Sequence, residues 1–223
     1  MLGANKRYLS ISINDSVIKL VQASSSGVIE KVARASASDT SVDALGNSLK
    51  TLLIGFDRNA PVICTIPASL ATSKTIEVPS ADPQEIRSII NLQISRHTPY
   101  SREEVLSGYI NLGAGTASQT KVLLVIVHRN VINDRIKVLE KVSLSSEKIL
   151  FVPEGIGRLY IKGLNLKKEA APVGVIDAAI STTNFLVVAR GSVTFSRSIP
   201  IGVKQMVESQ ESVNKLLEEI NKS

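Results

Sequence analysis

The sequence predicts an α/β protein made of two related β-β-β-α units with a smaller α/β subdomain inserted between them. Three observations carry this expectation. Short runs rich in β-branched residues, punctuated by turn residues, occur near both ends of the chain. A helix-period stripe of apolar residues follows each set. And a shift of 165 residues lays the second set on the first, placing Ser12 on Asp177, Asn14 on Ala179, Ser16 on Ser181 and Leu20 on Phe185.

The elements follow in order. Residues 8–13, 17–23 and 28–37 read as strands, with Asn14-Asp15 and the 24–27 stretch as turns. A helix from Thr40 or Ser41 aligns Val42, Leu45, Leu49, Leu52 and Leu53 on one face, and 61–66 is a buried strand. In the insert, a strand at 73–78 precedes a helix with Asp82 as N-cap, Pro83 at its first position and Glu85 three residues past the cap. Ile86, Ile89, Ile90 and Ile94 form its apolar stripe, and Pro99 limits its length because the residue before proline avoids helical geometry. Strands at 104–112 and 121–127, a helix at 131–142, a strand at 148–152 and a helix at 153–160 complete the insert. Strands at 173–178, 183–189 and 192–199 and one helix over about 203–220 form the second copy. The predicted domains are 1–67, 68–164 and 165–223.

Composition narrows the function. With 43% hydrophobic and 21% charged residues the chain is an ordinary globular protein, its core built from aliphatic side chains because it has four Phe, four Tyr and no Trp. The single cysteine, Cys64, lies in an apolar run; one cysteine forms no intramolecular disulfide, which fits a reducing compartment. The start of the chain is polar, without a signal-peptide pattern, and the longest apolar run, 122–127, is far short of the roughly 20 residues that span a bilayer. The expected location is therefore cytoplasmic. The net charge of +6 is dispersed, without the clustered bases and interleaved aromatics of a nucleic-acid site, so no nucleic-acid partner is expected.

Three segments, in order, resemble one family. The run Ser12-Ile13-Asn14-Asp15-Ser16-Val17-Ile18-Lys19-Leu20-Val21 is similar to its D-I-G-S-S-x-[IL]-K-[LA]-V opening. Ile76-Glu77-Val78-Pro79, the helix after Asp82 and His97-Thr98-Pro99-Tyr100 are similar to its l-P…E…[EQ]…Y-I-P-F stretch. The 176–184 stretch and Phe195-Ser196-Arg197-Ser198-Ile199-Pro200-Ile201-Gly202 are similar to its D-I-G-x-x-x-T and F-x-R-x-I-P-x-G blocks. The family is the PilM-like scaffolds of type IV pilus and type II secretion machines, which have an actin-like (ribonuclease H-like) fold. The resemblance runs from about Tyr8 to Gly202, and the family's pattern continues beyond Ser223 with a second small subdomain.

The resemblance implies two sites. Each actin-like copy offers its first turn to the phosphates of a nucleotide. The corresponding positions are Ser12, Asn14, Asp15, Ser16 and Lys19 in the first copy and Asp177, Ala179, Ser181, Thr182 and Thr183 in the second. A phosphate clamp needs glycine for close main-chain approach and a carboxylate for the metal or water. Here the family's Asp falls on Ser12 and its glycines on Asn14 and Ala179, while Asp177 survives. Asp177 is a metal ligand or, more plainly, a polar strand-end residue; Lys19 a phosphate contact or a solvated strand lysine. Asn14 and Asp15 read as turn formers, and His97 and His128 lack metal-ligand spacing. No catalytic residue, metal or cofactor is therefore assigned, Mg-ATP being the alternative. The second site is a groove for a partner's tail, which in the family lies between the first subdomain and the insert; the matching residues are Gln93, Thr98, Pro99 and Tyr100.

The function that the resemblance implies is a non-enzymatic cytoplasmic scaffold binding the N-terminal tail of a PilN-like single-pass inner-membrane protein. Membrane association would be peripheral, through that partner, and a homo-oligomer stays open. The alternatives are an actin-like ATPase and a cell-division membrane tether. A tether would carry a C-terminal amphipathic helix with a basic face, whereas 213–223 sets Glu218-Glu219 beside Lys215 and Lys222.

Overall fold

Strands β1 (Arg7–Asn14), β2 (Val17–Ser24) and β3 (Ile29–Ser36) form an antiparallel meander in the computed structural model, which describes residues 6–14, 17–37, 39–115, 119–167 and 171–222. Alternation along β1 and β2 sends Leu9, Ile11, Ile13, Ile18 and Leu20 to one buried face. The helix α1 (Val42–Leu52) covers that face with Leu45 and Leu49, and Ser41 caps it by accepting from Ala44 N–H at 3.3 Å. Strand β4 (Val62–Ile66) then pairs parallel with β1.

Unit 1 comprises Met1–Ile66 and Asn130–Leu150. Its sheet has the order β3-β2-β1-β4-β8, β8 being Ser146–Phe151, and the helix α3 (Arg129–Glu140) adds Val138 and Leu139 to the core. The sequence pattern assigns all of 68–164 to one inserted subdomain; the chain divides differently, because 130–150 packs with the first copy. An apolar helical stripe states that a face is buried, not which sheet buries it.

Unit 2 comprises Pro67–Arg129 and Phe151–Ser223. Strands β5 (Ala71–Val78), β6 (Val105–Ala114) and β7 (Thr120–His128) form an antiparallel sheet with β7 central. Val122, Leu124 and Ile126 of β7 meet Ile86, Ile90 and Ile94 of α2 (Pro83–Gln93) and the 3₁₀ turn after it, whereas Leu123 joins the core of the second copy. Burial on both faces explains why 122–127 is apolar without alternation. Asp82 caps α2 as expected, its Oδ1 accepting from Gln84 N–H at 2.8 Å and Glu85 N–H at 2.9 Å.

The second copy is β9 (Val173–Ala178), β10 (Thr183–Ala189) and β11 (Ser192–Ile199), again an antiparallel meander. It repeats an irregularity as well as a topology. The ladder of β2 and β3 slips between Gln22 and Ala23, and that of β10 and β11 between Val187 and Val188, positions again separated by the same 165-residue shift. The α4 helix (Val152–Gly163) lies against this copy, so close that a Cβ on Gly157 would sit 2.1 Å from Val193 Cγ2. The single helix expected over 203–220 is two, α5 (Val203–Glu208) and α6 (Gln210–Asn221), because Ser209 is extended. That break lets Leu216 and Ile220 reach Ile199 and Ile201, while Met206 of α5 meets the same cluster. Among the described residues no helix is long and apolar enough to cross a membrane.

Candidate functional site

The first turn joins β1 to β2, and Asp15 and Ser16 lie outside the described residues. Ser12 is half-buried, paired across the sheet with Lys19 on one side and Thr65 on the other. Lys19 is exposed, and Asn14 closes the hairpin opposite Val17 with its Oδ1 buried and without a donor. Beneath this end of β1 lies Arg135, 9% exposed, which donates to Ile13 O at 3.0 Å and to Val131 O at 2.9 Å. Burial holds its guanidinium below the ordinary arginine value, against the opposing pull of Cys64 and Asp134, and burial likewise raises the Cys64 thiol. Sequence reasoning passes over Arg135, since an arginine in an amphipathic helix reads as solvated.

The second turn is more fully built. Asp177 is half-buried at the end of β9, and its Oδ2 accepts from Asn184 Nδ2 at 3.0 Å. Ala179 N–H donates to Thr182 O at 2.8 Å, inside the turn itself. Thr183 is fully buried and donates its hydroxyl to Ile201 O at 2.6 Å. The start of α5 fastens the turn from outside: Val203 N–H donates to Ala179 O at 2.8 Å and Lys204 N–H to Ile180 O at 3.1 Å. Gly202 permits this approach, since a Cβ there would lie 2.3 Å from Ile180 O. Ser181 is exposed and Thr182 half-buried on the rim.

The second turn spends on itself two of the groups that a nucleotide site would leave free. A phosphate is held by main-chain N–H groups left free to point at it, with a metal carried by carboxylates. In the second turn Ala179 N–H is used internally and Asp177 is engaged by Asn184. Among the described residues no group of three or more His, Cys, Asp or Glu side chains gathers as metal ligands.

The predicted tail site lies wholly in unit 2. Gln93 ends α2 half-buried, and the chain turns through the 3₁₀ segment Ile94–Arg96 to Thr98 and Pro99. Thr98 Oγ1 accepts from Tyr100 N–H at 3.3 Å. Tyr100 is 48% exposed, its ring edge-on to His128 at 5.2 Å between centroids. Ile86, Ile90 and Ile94 all face the core; of the four predicted residues Pro99 and Tyr100 are exposed and Gln93 and Thr98 half-buried.

Comparison with known proteins settles the family. The sequence profile of the type IV pilus assembly protein PilM matches residues 11–220. The chain belongs to the PilM family. A solved chain of a PilM-PilN type IV pilus biogenesis complex superposes with a TM-score of 0.77 at 17% identity, covering 90% of this chain and 63% of that one. This PilM-family chain thus spans a little under two thirds of that relative. The cytoplasmic domain of EpsL, an inner-membrane component of the type II secretion system of Vibrio cholerae, gives 0.58 at 10% identity, with 88% and 72% covered. A Bacteroides thetaiotaomicron protein with an actin-like ATPase fold gives 0.54 at 12% identity, with 98% and 80% covered. The fold is actin-like, as the resemblance implies. No curated protein matches the sequence.

Proposed function

We propose that this PilM-family chain is a scaffold of a type IV pilus or type II secretion-like machine, and that it binds the N-terminal cytoplasmic tail of a PilN-like single-pass inner-membrane protein. Its place is the cytoplasm, at the inner face of the inner membrane, held there through that partner. The observation that carries the reading is the family match over 11–220 together with the fold likeness to a chain from a PilM-PilN complex. The exposed Pro99-Tyr100 corner supports a tail site there: one edge of the Tyr100 ring is fixed by His128, and much of the side chain is open to a partner. A half-exposed, pre-oriented aromatic is the type of residue that anchors short peptides. Tyr100→Asp is expected to keep the fold and to weaken capture of the partner's tail peptide by about 1 kcal/mol or more in a titration. Undiminished binding by the folded variant puts the site elsewhere.

The chain acts without nucleotide hydrolysis and needs no cofactor. The internal use of Ala179 N–H and the Asp177–Asn184 bond support this, as does the absence of glycine at Asn14 and Ala179. Calorimetric titration with Mg-ATP should give no saturable heat; micromolar affinity, about 8 kcal/mol, would refute the reading.

A further inference from the structure

An edge strand exposes a row of unpaired main-chain N–H and C=O groups, and proteins usually blunt it with charged side chains, proline or a covering element. Five of the six edge strands in the described sheets follow that rule. Each of β3, β5, β8, β9 and β11 carries charge, through residues such as Arg34, Lys74, Lys148, Asp177 and Arg197. β5 is also tied to β11, with Ser73 Oγ donating to Ser196 O at 2.7 Å and Thr75 Oγ1 to Thr194 O at 2.9 Å. β6, at the other edge of the same sheet, is the exception. Its 10 residues make it the longest described strand, and none of them is charged or proline.

The phase of the ladder says which groups face outward. Arg129 N–H donates to Glu104 O at 2.7 Å, in register with the pairing of Val105 and His128. Leu106, Gly108 and Ile110 therefore bond β7, while Ser107 and Tyr109 turn their N–H and C=O groups off the sheet. The open stretch is bounded at both ends. Val105 O accepts from Arg129 Nη2 at 3.2 Å, and at the bulge Asn111 Oδ1 accepts from Gly113 N–H at 2.8 Å. Between them, a Cβ on Gly108 would meet nothing within 4 Å.

Two recesses adjoin this stretch. One, of about 440 Å³, lies between β6 and α2 and is lined by Ser107, Tyr109, Arg87 and Asn91 among others. The other, of about 590 Å³, shares Tyr109 and Asn111 and adds Arg158 and Arg190. Their linings together hold three guanidiniums and one carboxylate, and that carboxylate, Glu154, is engaged by Arg158 at 2.7 Å. Positive charge is thus in excess on a strand edge that has none of its own.

We propose that β6 takes an acidic, extended segment of another polypeptide as a fourth strand of its sheet, paired to Ser107 and Tyr109 with carboxylates toward Arg87 and Arg190. A strand edge recognises main chain, because its N–H and C=O groups recur at the repeat of an extended peptide. The guanidiniums beside it select acidic side chains. A second copy of β6 suits the edge less well, since it brings no carboxylate and sets its own guanidiniums against these. The surface uses none of the residues 93–100 and does not depend on the reading given for them.

The test titrates the full ¹⁵N-labelled chain with an acetylated, amidated Val-Glu-Val-Glu-Val peptide, and in parallel with Val-Lys-Val-Lys-Val. The acidic peptide should shift the amide resonances of Ser107 and Tyr109 saturably, and the basic one should bind more weakly by about tenfold or more. Ser107→Pro deletes one outward N–H and no bond to β7, so it should keep the fold and lower the acidic peptide's affinity by about tenfold or more. Should that variant not fold, Arg87→Glu leaves the strand intact and is expected to weaken the acidic peptide while strengthening the basic one. Unmoved resonances, equal binding of both peptides or undiminished binding by a folded variant overturns the proposal. Shifts of the same amides with protein concentration alone assign the edge to a second copy and overturn it as well.

Discussion

Ser143 holds a position that glycine commonly takes. At the end of α3, Ser143 N–H donates to Glu140 O at 2.9 Å and Leu144 N–H to Leu139 O at 3.0 Å, a paired closure that requires the left-handed region, and Ser143 adopts φ 55°. The end of α4 closes in the same way through Asn165 at φ 50°, with Leu166 N–H on Ile161 O. Asparagine tolerates this conformation better than serine. Ser143→Gly should therefore stabilise unit 1 by about 0.5–1 kcal/mol in thermal denaturation, and Asn165→Gly should give less. A loss of stability on Ser143→Gly would mean that the serine hydroxyl holds something more valuable than relaxed geometry. Start signals are legible in the sequence and this stop is not. Asp82, Pro83 and Glu85 announce a helix by residue type, whereas serine announces no left-handed cap.

Elements explain why the second turn is held as it is. In the sequence Ile199-Pro200-Ile201-Gly202 stands only as a family marker; the structure gives its glycine a physical task, the close passage of the α5 start beneath Ile180 and Ser181. A Cβ at 202 would meet main chain at 2.3–2.5 Å, which no rotamer change relieves. Gly202→Ala should cost about 1–3 kcal/mol and shift the amide resonances of the 179–183 turn, since either the turn or the helix must move. Gly155 on α4 is the contrast, with nothing within 4 Å of a methyl placed there, so Gly155→Ala should stabilise by up to about 1 kcal/mol through helix propensity. If both alanines behave alike, close packing is not what Gly202 supplies. The strands, the duplication and α2 are readable because alternation, turn residues and capping are local properties. The break at Ser209 is not, because no glycine or proline marks it between 203 and 220 although α5 and α6 are separate helices.

At the scale of the molecule the repeat is legible and its partition is not. The 165-residue shift that relates the copies also relates their bulges, whereas the assignment of 130–150 to unit 1 depends on long-range packing that no local pattern records. Of the candidate sites, the corner proposed for a tail is marked in the sequence by Pro99 and Tyr100, and the two turns by the residues at Asn14 and Ala179 where the family has glycine. Arg135 is invisible, since its burial and its bond to Ile13 O depend on what packs against its helix.

Stability as a function of pH has two stages with separate causes. His97 is half-buried with its Nδ1 unpartnered, and burial first, then Lys74 and Arg96, holds its pKa below the ordinary 6.5. A depressed folded value means that the unfolded chain binds the proton more readily, so stability is complete above pH 6.5 and declines as pH falls toward the folded value. The second stage belongs to carboxylates. Glu30 is held low chiefly by its hydrogen bond from Gln22, Asp39 and Glu104 by bonds from Ser41 and Ser101, and Glu219 by Lys222. Their contributions persist above the ordinary 4.5 of glutamate and 3.8 of aspartate and disappear as acid protonates them. Melting temperatures measured from pH 7.5 to 3 should thus begin to decline below about 6.5 and decline further below about 4.5. His97→Gln keeps a polar side chain at the site but cannot titrate, so it should flatten the first decline and leave the second untouched. If the variant and the parent chain lose equal stability between pH 6.5 and 4.5, the first stage arises from a group other than His97.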